Sequence, residues 1–116
     1  MNANEVERLS RPTQVEIETR VLGWVDHAFP GFLEVELLDA QCRRHLIHEK
    51  VPVLFAESFL PSDSLPESCW IQCKILEECD LFFVVEPLWY IESVDGLSRF
   101  EIARDRIREC RVNRQI

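Results

Sequence analysis

The sequence predicts an all-β domain, a small antiparallel barrel of five or six strands with at most short helical turns. Apolar residues alternate with polar ones at Val15, Ile17 and Val21, at Leu33, Val35 and Leu37, and at Cys69, Ile71, Cys73 and Ile75, which is the period of half-buried strands. Turn formers stand between such runs, at Pro30-Gly31, Asp39-Ala40 and Asp95-Gly96. A chain of 116 residues has room for one domain and one core, burying roughly two thirds of its unfolded surface without disulfide or metal staples.

The first strand is expected over 14–27. Val15, Ile17, Val21 and Val25 share its dry face, and Gly23 marks a bulge where a long strand bends. Ala28-Phe29-Pro30-Gly31 predicts a type II turn with proline at the second position and glycine at the third. A second strand over 32–39 has one apolar face and one acidic face, the latter carrying Glu34 and Glu36. Asp39 opens the next turn, where its carboxylate can bond its own backbone, and the third strand follows over 43–50. Pro52 cannot donate to a ladder and belongs at a strand end or edge.

Ala56 to Ser68 holds Pro61, Pro66 and several serines, and predicts a loop with one helical turn near Glu57 to Leu60. The fourth strand, 67–77, puts Cys69 and Cys73 on its dry face. Leu81 to Val85 is apolar at every position, as in a central strand, so a strand is expected over 80–91. Asp95-Gly96 is a two-residue hairpin signal leading to a last strand over 97–105. Arg104 to Arg111 reads as a strand extension or a short helix, the strand being preferred. The domain thus spans 14–111, with a flexible leader at 1–13 and a frayed tail at 112–116. OB-like (oligonucleotide-binding) and SH3-like topologies both fit.

A set of residues in this core, Val21-Leu22-Gly23, Phe29-Pro30-Gly31-Phe32, Glu34 to Ala40 and Glu49-Lys50-Val51-Pro52-Val53, loosely resembles an uncharacterised family of short bacterial β-barrel proteins. That family holds a glycine in the turn after Asp-Ala, where this chain has Gln41-Cys42. The resemblance covers about a third of the chain and implies a fold, not an activity.

The net charge is −8, unevenly spread: residues 51–95 carry nine acids against Lys74 alone, and residues 96–116 carry six arginines against three acids. An acidic domain repels phosphate backbones, which counts against nucleic acid as a partner. The polar N-terminus lacks the apolar run of a signal peptide or membrane span, so a cytoplasmic address is expected. Five cysteines, an odd number, fit a reduced compartment with thiols as small core residues.

Cys42, His45 and His48 have soft-ligand character, but strand parity sends His45 the opposite way and spreads the three over about 10 Å. No metal or other cofactor is expected. Cys69 and Cys73, about 13 Å apart along a strand, are beyond disulfide reach. No nucleophile elbow, phosphate loop or HExxH pair is present, so the expectation is a non-enzyme. Trp24 and Trp70 fall on polar-facing positions and belong either to a second buried layer or to an exposed contact patch.

The expected function is non-catalytic protein binding, as an inhibitor or immunity-type protein for a basic partner. Glu34, Glu36, Trp89 and Tyr90 are its candidate contact residues. The alternative is a nucleic-acid-binding barrel using Arg43, Arg44 and the arginines from 99 to 114. A third reading is a small hydrolase depending on one of the histidines. A homodimer through an exposed strand also fits, with Lys and Pro the obvious edge protection.

Overall fold

The computed structural model describes residues 14–54 and 66–110. The expected leader, tail and Glu57–Leu60 helical turn lie outside these residues. The described residues form an all-β, antiparallel, barrel-like sheet of seven strands: β1 (Gln14–Asp26), β2 (Phe32–Leu38), β3 (Arg44–Lys50), β4 (Glu67–Glu78), β5 (Phe82–Pro87), β6 (Phe100–Ala103) and β7 (Ile107–Glu109). One helical turn, α1 (Val51–Leu54), follows β3.

β1 organises the sheet. Along one edge it pairs with β4 from Gln14 to Val21. Along the other it takes β7 at Val15–Ile17 and then β2 at Arg20–Asp26. β4 continues to β5, and β5 to β6. A 3-10 turn at Arg104–Arg106 breaks the last run into β6 and β7, so the curled sheet comes round to β1 again. This break raises the strand number to seven, and it places both a turn and a strand in the Arg104–Arg111 segment.

Two backbone bonds tie β3 and the β2–β3 turn to the far end of the sheet: Ala40 N–H to Glu101 O at 2.7 Å, and Val94 N–H to Leu46 O at 2.8 Å. The enclosed core holds Ile17, Leu33, Val35, Leu37, Ile47, Ile71, Cys73, Val85 and Ile102, each at most 1% exposed.

Gly23 does mark a bulge. The register steps from Val21↔Val35 to Gly23↔Glu34 and Trp24↔Leu33, leaving Leu22 as the extra residue. An extra residue exchanges the two faces of a strand. Trp24 therefore packs against the core beside Leu33, whereas Val25, expected inside, is 52% exposed. Trp70 has no bulge before it and stays on the outer face, where the Arg108 guanidinium lies 3.9 Å above its ring.

The first turn differs from the type II expectation. Gly31 N–H bonds to Ala28 O at 2.7 Å, which makes Phe29 and Pro30 the central pair, and their peptide bond is cis. Proline in cis at the third position is a type VI turn. Gly31 follows with φ 89°, and the Trp24 ring covers it.

The Asp39 turn is as expected. Its Oδ1 accepts the N–H groups of Gln41 and Arg43, both at 2.9 Å. Cys42 takes φ 64° there, the left-handed conformation that glycine adopts without steric cost.

The largest departure is after β5. No hairpin joins strands at Asp95-Gly96; residues 88–99 form an irregular excursion, with Gly96 at φ 89° in a local turn closed by Ser93. The reason is the backbone at Trp89 and Tyr90, which turns the chain out of the sheet.

Candidate functional site

β5 ends on Pro87, which has no N–H to donate. One further rung follows, Leu88 N–H to Gln72 O at 3.1 Å. Trp89 and Tyr90 then take φ 67° and 59°, the sign that the two central residues of a type I′ turn require and that Asn-Gly usually supplies. A non-glycine residue held there costs of order 1–3 kcal/mol.

Both rings point away from the core, Trp89 66% and Tyr90 98% exposed. On a continuing strand one of the two would have faced inward. The turn exposes both.

These aromatics border an open cleft of about 680 Å³, lined also by Gln72, Lys74, Glu86 and Glu92. Gln72 and Lys74 stand on the outer face of β4, two residues apart. Lys74 Nζ is 3.6 Å from Glu86 Oε1, which leaves Glu92 as the unbalanced charge among these residues. Gln72 Nε2 also donates to Cys110 Sγ at 3.3 Å. Aromatic surface beside a few polar groups is the usual make-up of a recognition site.

The two other expected contact residues lie elsewhere. Glu36 accepts from Arg44 at 2.8 Å and lies 3.9 Å from Arg20; Glu34 meets His48 Nε2 at 2.9 Å. The acidic face of β2 is thus laced to bases of β1 and β3. Glu36 lines a separate depression of about 150 Å³ with Glu18, Arg20, Ser68 and Arg106. The four expected residues therefore do not share one cavity.

The three histidines each have a neighbour in the structure, His27 stacking on Trp24 and His48 meeting Glu34. His45 faces inward at the seam between β3 and β6, its Nε2 2.9 Å from Asp39 Oδ2 and its ring edge-on to Phe100. Burial opposes ionisation of Asp39, but hydrogen bonds from His45, Arg43 and Gln41, with the Arg43 charge, hold its pKa below the ordinary value. Burial pushes the Cys69 thiol up to about 11 and the Cys73 thiol further. Burial and the carboxylates of Glu77, Glu101 and Asp80 raise Cys79. Among the described residues no group of three or more His, Cys, Asp or Glu side chains is placed to hold a metal ion.

Sequence reasoning named Trp89 and Tyr90 but missed Gln72, Lys74, Glu86 and Glu92. Strand parity, which puts Gln72 and Lys74 on the polar face next to the Pro87 strand end, was the available signal.

Among the described residues most arginines are paired: besides Arg20 and Arg44, Arg104 lies 2.9 Å from Glu78, Arg108 2.7 Å from Glu16, and Arg43 3.3 Å from Asp39. No described helix is long and apolar enough to cross a membrane. No protein-family model matches the chain, and no curated protein or solved structure matches it either.

Proposed function

We propose that this domain is a non-catalytic protein-binding module of the cytoplasm, an inhibitor or immunity-type protein for a basic partner, with Trp89 and Tyr90 as its anchors. One observation carries the reading: two successive aromatics held at positive φ and exposed beside a cleft. Neither ring is needed for the core, and neither residue suits its backbone. Strain of this kind collects where function demands a particular presentation, and tryptophan and tyrosine are the side chains that most often dominate protein interfaces.

Charge supports the choice of partner. The chain carries −8, and Glu92 extends that sign into the cleft, so a basic protein is attracted and its association accelerated. Glu34 and Glu36 contribute to this field. Because they are already paired with His48, Arg20 and Arg44, the contact energy falls mainly on the aromatics.

Raised thiol pKa values at Cys69, Cys73 and Cys79 favour a non-catalytic reading, since the thiolate is the nucleophile. The nucleic-acid alternative is weakened by the carboxylates that neutralise Arg43, Arg44, Arg104 and Arg108.

The test is capture from nuclease-treated lysate of the host at moderate salt, with wild type and a Trp89→Ala/Tyr90→Ala variant as parallel baits. A basic protein retained by the first and lost by the second is expected. Equal capture by both would remove the reading, and oligonucleotide binding that falls steeply with salt would favour the alternative.

A further inference from the structure

An arginine lying on an aromatic ring and held there by a carboxylate occurs twice in this fold. The Arg108 guanidinium lies 3.9 Å above the Trp70 ring, and its Nε is 2.7 Å from Glu16 Oε1. The Arg104 guanidinium lies 4.6 Å above the Phe83 ring, and its Nη2 is 2.9 Å from Glu78 Oε2. The arrangement has a physical basis. The negative face of the ring attracts the cation, the planar guanidinium stacks with its edge free to donate, and a carboxylate is the acceptor that suits that edge.

The cleft at the end of β5 holds two of these three parts. Trp89 and Tyr90 supply rings and Glu92 a carboxylate, all three exposed and lining the same cavity of about 680 Å³. Of the three tryptophans in the chain, Trp24 stacks on His27 and Trp70 carries Arg108. Among the described residues, Trp89 has neither a ring nor a cation against it. The one cation lining the cleft, Lys74, is 3.6 Å from Glu86, so Glu92 is the carboxylate left without a base there.

We infer that the cleft binds the guanidinium of an arginine presented by the partner, stacked on Trp89 beside Tyr90 and paired with Glu92. This rests on the protein-binding reading above and adds the chemistry that the partner must carry. Arginine is preferred to lysine because an ammonium is more strongly hydrated and has no planar face to stack. The charge that selects it stands in the cleft itself and does not depend on the net charge of the chain. Of the undescribed residues, 55–65 contain no base, and the arginines are Arg8, Arg11, Arg111 and Arg114.

Titration of the full chain with N-acetyl-arginine amide, followed by NMR at constant ionic strength, tests it. The indole N–H resonance of Trp89 shifts and saturates, while those of Trp24 and Trp70 stay in place. N-acetyl-lysine amide binds at least about fivefold more weakly. The corresponding citrulline amide, similar in shape but uncharged, gives no shift. Glu92→Gln weakens the arginine amide by about fivefold or more. Trp89→Leu abolishes its effect, read at the backbone amide of Glu92.

Equal shifts from the three amides, or no shift from any, overturn the inference. So does a Trp89 indole resonance that moves in the ligand-free chain when Arg8, Arg11, Arg111 and Arg114 are all changed to Gln, which would assign the arginine to the chain itself. Partner capture that is lost in Trp89→Ala/Tyr90→Ala but unchanged in Glu92→Gln, with no arginine preference in the titration, removes the arginine site and leaves the protein-binding reading standing. Capture unchanged in the aromatic variant removes that reading itself.

Discussion

Asp39 Oδ2 meets His45 Nε2 at 2.9 Å, and the other oxygen of the same carboxylate holds the N–H groups of Gln41 and Arg43. One side chain thus shapes the β2–β3 turn and orients the histidine at the seam with β6. Asp39→Ala leaves those donors without a partner and is expected to lower stability by about 2–3 kcal/mol, read as a shift in the urea midpoint. The folded pKa of Asp39 lies below its ordinary 3.8. The contribution is therefore complete above about pH 4 and is lost as pH falls through the folded value. Asp39→Asn flattens that part of the acid limb.

Gly31 has φ 89°, and a Cβ built on it would stand 2.8 Å from Trp24 Cζ3. Gly31→Ala is expected to cost about 2–4 kcal/mol from strain and overpacking together. Trp24→Leu in the same chain relieves the overpacking and leaves the strain. Double-mutant thermal melts separate the two.

Cys42 occupies φ 64° in an exposed turn, so Cys42→Gly is expected to stabilise the domain by about 0.5–1 kcal/mol. Chemical denaturation of the two proteins measures it. A loss of stability instead would mean that the thiol makes contacts worth more than the strain.

A larger gain is expected at the aromatic turn. Trp89→Asn/Tyr90→Gly places residues suited to positive φ at both positions and raises stability by about 1–2 kcal/mol, while partner capture is lost. Stability and function would then pull in opposite directions at one pair of residues. Thermal melts and capture on the same variant give both halves.

Alkylation with iodoacetamide at pH 8 distinguishes the thiols. Cys42, exposed, reacts first; Cys79, with its raised pKa, follows. Cys69 and Cys73, buried and with thiol pKa values of about 11 and higher, react only on unfolding. Mass spectrometry of the labelled peptides gives the order.

β1, β2 and β4 were legible because their apolar residues alternate, at Val15, Ile17 and Val21, at Leu33, Val35 and Leu37 and at Cys69, Ile71 and Cys73, and Pro30-Gly31 and Asp39-Ala40 announce the turns after β1 and β2; β3 was legible mainly from the turn that precedes it. The seven-strand arrangement required more. β7 is three residues long and pairs with a strand about ninety positions earlier, a relationship that no local pattern carries. Trp24 and Val25 exchanged faces because a bulge announces a bend without announcing which residue is extra. Trp89-Tyr90 was read as strand, since adjacent aromatics favour extended backbone and positive φ has no signal in residues other than glycine, asparagine and aspartate. Glu34 and Glu36 were correctly placed on a polar face, but the bases opposite them depend on cross-strand register, which fixes what a carboxylate touches.

The pairing of Val15, Glu16 and Ile17 with Ile107, Arg108 and Glu109 has a consequence during synthesis. Arg108 follows its partner Glu16 by 92 residues, and a ribosome adds about 5–20 residues per second. For roughly 5–18 seconds, therefore, the start of β1 is outside the ribosome's reach of its last neighbour, with β4 on one edge at most and the other edge bare. A nascent chain in that condition recruits whatever strand is nearest, including one from the next chain on the same message. Yield in a cell should thus depend on translation speed across residues 79–109 as well as on the equilibrium stability of the finished domain.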